Sequence, residues 1–103
     1  EGASVVVLNA TNVTGLAAKQ KTTLTGKGVN VSAIGDAYGL QDVTSIVDNS
    51  QGKLPLTRSL LIKQYPGANV VTSSGYTSSY PNADFIVVLG NDRVPAASSN
   101  ATP

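Results

Sequence analysis

Val5-Val6-Val7-Leu8 near the start of the chain and Phe85-Ile86-Val87-Val88-Leu89 near its end decide the fold. Both runs are unbroken, too short for helices and rich in β-branched residues. They therefore read as strands buried on both faces. Each breaks sharply into polar sequence: Asn9-Ala10-Thr11-Asn12-Val13-Thr14-Gly15 after the first and Gly90-Asn91-Asp92-Arg93 after the second. Strands of this kind belong in the middle of one sheet. The two are predicted to lie side by side and parallel, which brings the two ends of the chain together in the core.

Outward from the first run, a helix is predicted over residues 15–25, with Thr14 as its N-cap because the hydroxyl can accept an otherwise unpaired amide. At 100° per residue, Val13, Leu16, Ala17 and Leu24 share one arc and Lys19 points away. Gln20 falls inside the apolar arc and interrupts it. Gly26-Lys27-Gly28 supplies a stop, since one glycine can take the left-handed conformation of a helix end. Val29, Val31 and Ala33 alternate with Asn30 and Ser32, the pattern of a half-exposed strand. Residues 35–42 read as a loop, residues 44–48 as a short strand exposed at a sheet edge, and residues 55–64 as a second helix opened by Pro55. That helix carries Leu56, Leu60, Leu61 and Ile62, with Tyr65 following, around much of its circumference. It is expected to pack on more than one side. Val70-Val71 starts another strand, and residues 73–82 read as a Ser/Tyr/Gly loop.

The predicted order is strand, helix, strand, strand, helix, strand, strand (βαββαββ). This is an α+β two-layer sandwich, with two helices on one face of a mixed four- or five-stranded sheet. Residues 1–94 form one domain, and residues 95–103 have the Ala/Ser/Pro composition of a disordered tail or linker.

Composition narrows the chemistry. With 103 residues, 41% hydrophobic and 13% charged, the chain can bury one modest core. Seven basic and six acidic side chains leave a formal charge of +1, unlike the basic stripe of a nucleic-acid binder, so no nucleic-acid partner is expected. No apolar stretch reaches the roughly 20 residues of a membrane helix, so neither a span nor a signal sequence is expected in this stretch. The absence of Met suggests a piece of a longer protein. The absence of Cys removes disulfides, thiolate nucleophiles and zinc–thiolate sites. The absence of His removes the usual general base and the commonest metal ligand.

The stretch from Val5 through Asn9-Ala10-Thr11-Asn12-Val13-Thr14-Gly15-Leu16-Ala17-Ala18 resembles the opening of the LytR C-terminal domain family: an apolar strand, Asn-Gly/Ala-Thr, a small residue, Val-Ser/Thr-Gly-Leu-Ala, then a helix. Ala83-Asp84-Phe85-Ile86-Val87-Val88-Leu89-Gly90-Asn91-Asp92 is similar to its closing segment, and Gly26-Lys27-Gly28-Val29-Asn30-Val31 fits the spacing between. The likeness covers residues 4–93. Ala10 departs from the pattern, standing where Gly is commoner. The resemblance implies an extracytoplasmic accessory module of a bacterial cell-envelope protein, membrane-anchored or wall-associated. Such modules occur with or without a LytR-CpsA-Psr domain that transfers anionic glycopolymers to peptidoglycan. The phosphate-binding Arg/Asp apparatus belongs to that other domain and has no counterpart here, where Arg58 and Arg93 are the only arginines. The family offers no catalytic residue to carry over, and no cofactor or metal is implied.

Candidate site residues cluster where the two apolar strands end. If those strands are parallel neighbours, Asn9, Thr11, Asn12 and Thr14 meet Asn91, Asp92 and Arg93 at one rim. Carboxyl ends of parallel strands and free helix amides favour ligands, here sugar hydroxyls or a phosphodiester. The competing explanation is local, because Asn and Thr also make turns and caps, and capping alone accounts for Asn12 and Thr14. Tyr76 and Tyr80 are candidates for stacking on pyranose faces; more commonly, such rings fold back over a core edge with only the hydroxyl wet. Lys19, Lys21, Lys27, Lys53 and Lys63 read as solvated surface, and Asp36, Asp42 and Asp48 lack the tight alternation of a calcium loop. Three roles follow. The first is a non-catalytic module binding or positioning near peptidoglycan or anionic wall polymer. The second is a protein–protein or dimerisation module using an edge such as residues 44–48. The third, much the weakest, is a His-free hydrolase built on Asp36, Asp84 or Asp92.

Overall fold

The computed structural model describes residues 2–94; the tail expected over residues 95–103 lies outside them. The strands are β1 (Ser4–Asn9), β2 (Asn30–Asp36), β3 (Ser45–Asp48), β4 (Asn69–Val71) and β5 (Phe85–Leu89). The helices are α1 (Leu16–Gly26), α2 (Pro55–Gln64) and α3 (Gly75–Ser79), with a final 3₁₀ turn at Asn91–Arg93. One mixed sheet runs in the order β2-β1-β5-β3-β4. β1 is parallel to both β2 and β5, β3 is parallel to β4, and β3 and β5 are antiparallel. The molecule is thus two β-α-β units, β1-α1-β2 and β3-α2-β4, joined by inserting β5 between them.

The central pairing is the one expected from the apolar runs. Val5 to Asn9 lie opposite Phe85 to Leu89 in unbroken parallel register. Both runs are apolar throughout because both faces are covered. Val5, Val7, Phe85, Val87 and Leu89 pack with α1 and α2 through Leu16, Leu24, Leu61 and Tyr65. Val6, Leu8, Ile86 and Val88 form a second cluster with Val47 and Ala83, against which Tyr76 and Tyr80 pack. The helix pair covers one face as predicted, and the short α3 lies on the other.

Several local expectations are corrected. Thr14 does not cap α1. Gly15 holds that position in the left-handed conformation (φ 86°), and no side chain caps the helix. Gln20 interrupts the apolar arc of α1 because its Oε1 accepts a 2.7 Å hydrogen bond from the Tyr65 hydroxyl. Gly28 is the left-handed residue of the helix stop (φ 87°), and Val29 N–H donates back to the Leu24 carbonyl at 3.0 Å. β2 runs on to Asp36, into the segment read as loop.

The helix α2 packs on one side, not several: Leu61 is buried, whereas Leu56 is 72% exposed. The strand read as an exposed edge is interior. β3 lies between β5 and β4, and the edges are β2 and β4. Its Asp48 is buried, accepts from Ser50 N–H and Oγ–H, and pairs with Arg58 of α2 at 3.4 Å. The predicted Ser/Tyr/Gly loop contains α3. Its poor helix formers are held by reciprocal caps: Ser74 Oγ accepts from Tyr76 N–H, and Thr77 Oγ1 accepts from Ser74 N–H.

Candidate functional site

The parallel strands β2, β1 and β5 end together, with Asn9 opposite both Asp36 and Leu89 in register. Asn9 is buried and shapes the turn that follows. Its Nδ2 donates to the Val13 carbonyl at 2.8 Å, while its Oδ1 accepts from Thr11 N–H at 3.0 Å and Thr11 Oγ1–H at 2.6 Å. Thr11 Oγ1 in turn accepts from Val13 N–H at 3.1 Å. Asn9 and Thr11 therefore turn the chain from β1 into α1, satisfying backbone groups that would otherwise be stranded at the sheet edge. Ala10 is accommodated without left-handed backbone, and its N–H donates to the Leu89 carbonyl at 2.9 Å.

That turn borders a cleft of about 380 Å³ lined by Asn9, Thr11, Asn12, Thr14, Gly15 and Asp36, with Ala37, Gly39 and Leu40 forming the other wall. Asn12, Thr14 and Asp36 are exposed there. No side chain caps α1, and Gly15, at the positive end of the helix dipole, lines the cleft. The cleft thus offers an amide side chain, hydroxyls and one carboxylate at the mouth of a helix dipole, suited to hydrogen-bonding a polyhydroxylated chain.

Asn91, Asp92 and Arg93 do not join this cleft. The backbone of Gln41 runs between the two groups: its N–H donates to the Ala10 carbonyl, and its carbonyl accepts from Asn91 N–H at 2.8 Å. Asp92 Oδ1 accepts from Thr44 N–H and Thr44 Oγ1–H at 3.0 and 2.7 Å. Arg93 donates from Nη2 to the Pro66 carbonyl, pairs with Asp92 at 3.7 Å and lies over the Tyr65 ring at 5.5 Å. Its buried Nε has no partner among the described residues. Asp92 and Arg93 thereby fasten the end of β5 to the start of β3 and to the chain after α2.

Tyr76 and Tyr80 fold back over the second core cluster and are half-buried. Tyr80 also lines a mostly apolar groove of about 340 Å³ with Val6, Ala33 and Pro81. The residue missed in the sequence is Tyr38, 75% exposed, whose ring stacks on Tyr76 at 4.8 Å and 15°. Its neighbours Ala37 and Gly39 line the polar cleft, while Tyr38 itself does not. No periodicity marks a single Tyr between Ala37 and Gly39, so only the tertiary contact identifies it. The carboxylates of the hydrolase reading sit on three different segments. Asp36 closes β2, Asp84 precedes β5 and accepts from Ser4 N–H, and Asp92 follows the opposite end of β5.

Among the described residues no helix is long and apolar enough to cross a membrane. No curated protein and no solved structure gives a significant match to the chain. The family model described as LytR cell envelope-related transcriptional attenuator matches residues 2–92, from the residues before β1 to the turn after β5. That span contains both central strands, the Asn9 turn and the Leu89-Gly90 exit of β5, and the chain belongs to this LytR C-terminal family of cell-envelope accessory domains.

Proposed function

We propose that this domain is a non-catalytic, extracytoplasmic module that holds its parent protein against peptidoglycan or an anionic wall glycopolymer, through the cleft at the ends of β1 and β2. The observation that carries the reading is a polar cleft in which Gly15, at the start of an uncapped helix, meets Asn12, Thr14 and Asp36, in a chain of an envelope family. Hydroxyl, amide and helix N–H groups bind glycan hydroxyls and phosphodiesters reversibly. Among the described residues Asp36 is the single carboxylate in the cleft wall, an arrangement that favours binding over the paired-carboxylate chemistry of glycoside hydrolysis.

The test is co-sedimentation with purified sacculi, with and without their covalently attached polymer, combined with amide-shift mapping. Binding with shifts confined to residues 9–16 and 36–40, weakened by the double variant N12A/T14A, supports the reading. No retention on either preparation refutes it.

A second reading, dimerisation by strand addition, draws on β2. This seven-residue edge strand carries neither Lys nor Pro, the usual guards of an open edge. A monomer at all concentrations in sedimentation equilibrium removes it.

A further inference from the structure

Tyr38 is the most exposed of the large apolar side chains, at 75%, yet it is held in place. One ring face lies on Tyr76, with centroids 4.8 Å apart and planes inclined by 15°. Its hydroxyl shares a hydrogen bond with Ser79 Oγ, and its backbone N–H donates to the Tyr76 hydroxyl at 3.1 Å. Tyr76 is itself anchored, packed on the Val6/Leu8/Val88 cluster, with its amide bound to Ser74 Oγ at 3.1 Å. An exposed tyrosine ordinarily samples several rotamers, and a ligand that orders it must offset that lost freedom. Here the stack and the Ser79 contact have already fixed the ring, leaving the face turned away from Tyr76 open to water.

From this geometry we infer that Tyr38 is a sugar-stacking platform, its free face taking the apolar C–H face of a pyranose ring in a glycan chain whose polar groups lie in the neighbouring cleft. The inference rests on the wall-polymer reading above and adds to it a specificity: a ring-containing glycan, not merely a polyanion. A flat, open aromatic face complements the flat apolar side of a pyranose, which buries area against it while its hydroxyls stay in water. An acyclic polyol phosphate has no such face. The backbone connects the two parts: Tyr38 itself does not line the cleft, but its chain neighbours Asp36, Ala37, Gly39 and Leu40 do. Tyr76 and Ser79 are positioning residues, acting through Tyr38.

The test uses the full 103-residue chain and two soluble probes. One is a peptidoglycan tetrasaccharide of alternating N-acetylglucosamine and N-acetylmuramic acid, and the other is poly(glycerol phosphate). Binding is followed by tyrosine emission, uncluttered because the chain has no Trp, and by amide shifts. The platform requires Y38A and Y38L each to weaken tetrasaccharide binding by about tenfold, as for loss of an aromatic anchor. Y38F, which keeps the ring face, should stay within about threefold of wild type. S79A gives up the same hydrogen bond as Y38F and should match it, and poly(glycerol phosphate) affinity should not change in any variant. Matching amide spectra outside residues 36–40 and 75–80 show that the variants are folded. Tetrasaccharide binding that is equal in wild type and Y38A, or preserved in Y38L, overturns the platform while leaving the cleft reading intact. So does binding of poly(glycerol phosphate) alone. Binding of neither probe by the wild type overturns both.

Discussion

The variant G90A tests how β5 is joined to β3. A Cβ at Gly90 would lie 2.6 Å from the Val43 carbonyl carbon, 2.8 Å from Val43 N and 2.9 Å from Thr44 N. All three are backbone atoms, so no flexible side-chain end can yield. The Gly90 backbone itself (φ −98°) is open to any residue, which makes the penalty one of contact alone. Relieving it means separating residues 43–44 from residue 90. That movement also stretches the 3.0 Å bond from Gly90 N–H to Thr44 Oγ1 and the 2.7 Å bond from Thr44 to Asp92. Overpacking a tight site costs about 1–3 kcal/mol, and a hydrogen bond to a charged group contributes about 1.5–3 kcal/mol. Since the two losses share one movement, a combined cost of about 3 kcal/mol is expected. At about 4–8 °C per kcal/mol for a domain of this size, the melting temperature should fall by roughly 12–24 °C.

Urea unfolding followed by circular dichroism and tyrosine emission measures the change, with G26A as the control. A Cβ at Gly26 meets nothing within 4 Å at the end of α1, so that variant should gain about 0.5–1 kcal/mol. T44V should cost less in the G90A background than in wild type, because the clash has already loosened the Thr44 bonds. A G90A protein within about 0.5 kcal/mol of wild type, the range of an ordinary surface substitution, refutes the argument.

N9A removes three hydrogen bonds from a buried site. It should cost about 2 kcal/mol in the same unfolding assay, with amide shifts spreading over residues 11–16. N12A/T14A touches only exposed side chains and should change stability by less than about 0.5 kcal/mol, so any loss of polymer binding reports on the cleft itself. Burial holds the Tyr65 phenol well above its ordinary value, partly offset by the nearby Arg93 charge. The unfolded phenol ionises near pH 10 while the folded one keeps its proton. Stability is therefore fully present below pH ~10 and falls above it, by at most about 1.4 kcal/mol per pH unit. In Y65F that extra decline should vanish from stability curves measured between neutral and alkaline pH, although the variant also gives up the bond to Gln20.

Much of the architecture was legible because it is written in short-range patterns. Unbroken β-branched runs at residues 5–8 and 85–89 require cover on both faces, and the sheet places them together at its centre. The 3.6-residue spacing of Leu16, Ala17 and Leu24 marks the buried side of α1, and Pro55 marks the start of α2. What escaped this reading depends on partners distant in sequence. α3 carries its own caps within residues 74–77, but its weak helix formers also need the packing sites for Tyr76 and Tyr80, and those are supplied by the fold. Ser45-Ile46-Val47-Asp48 is short enough to suit an edge, yet β4 pairs outside it.

Residue chemistry by itself determined that the ends of β1 and β5 would be polar, since apolar strands must emerge into polar turns, and it predicted a shared rim if the two strands were parallel neighbours, as they are. Only the tertiary structure decided how that rim is divided. Gln41 threads between its halves and draws Asp92 and Arg93 into fastening β3 and the chain after α2, while Tyr38 is stacked on a helix the sequence did not announce. The division follows from where backbone amides find their partners. Those partners lie far along the chain, and no local pattern encodes them.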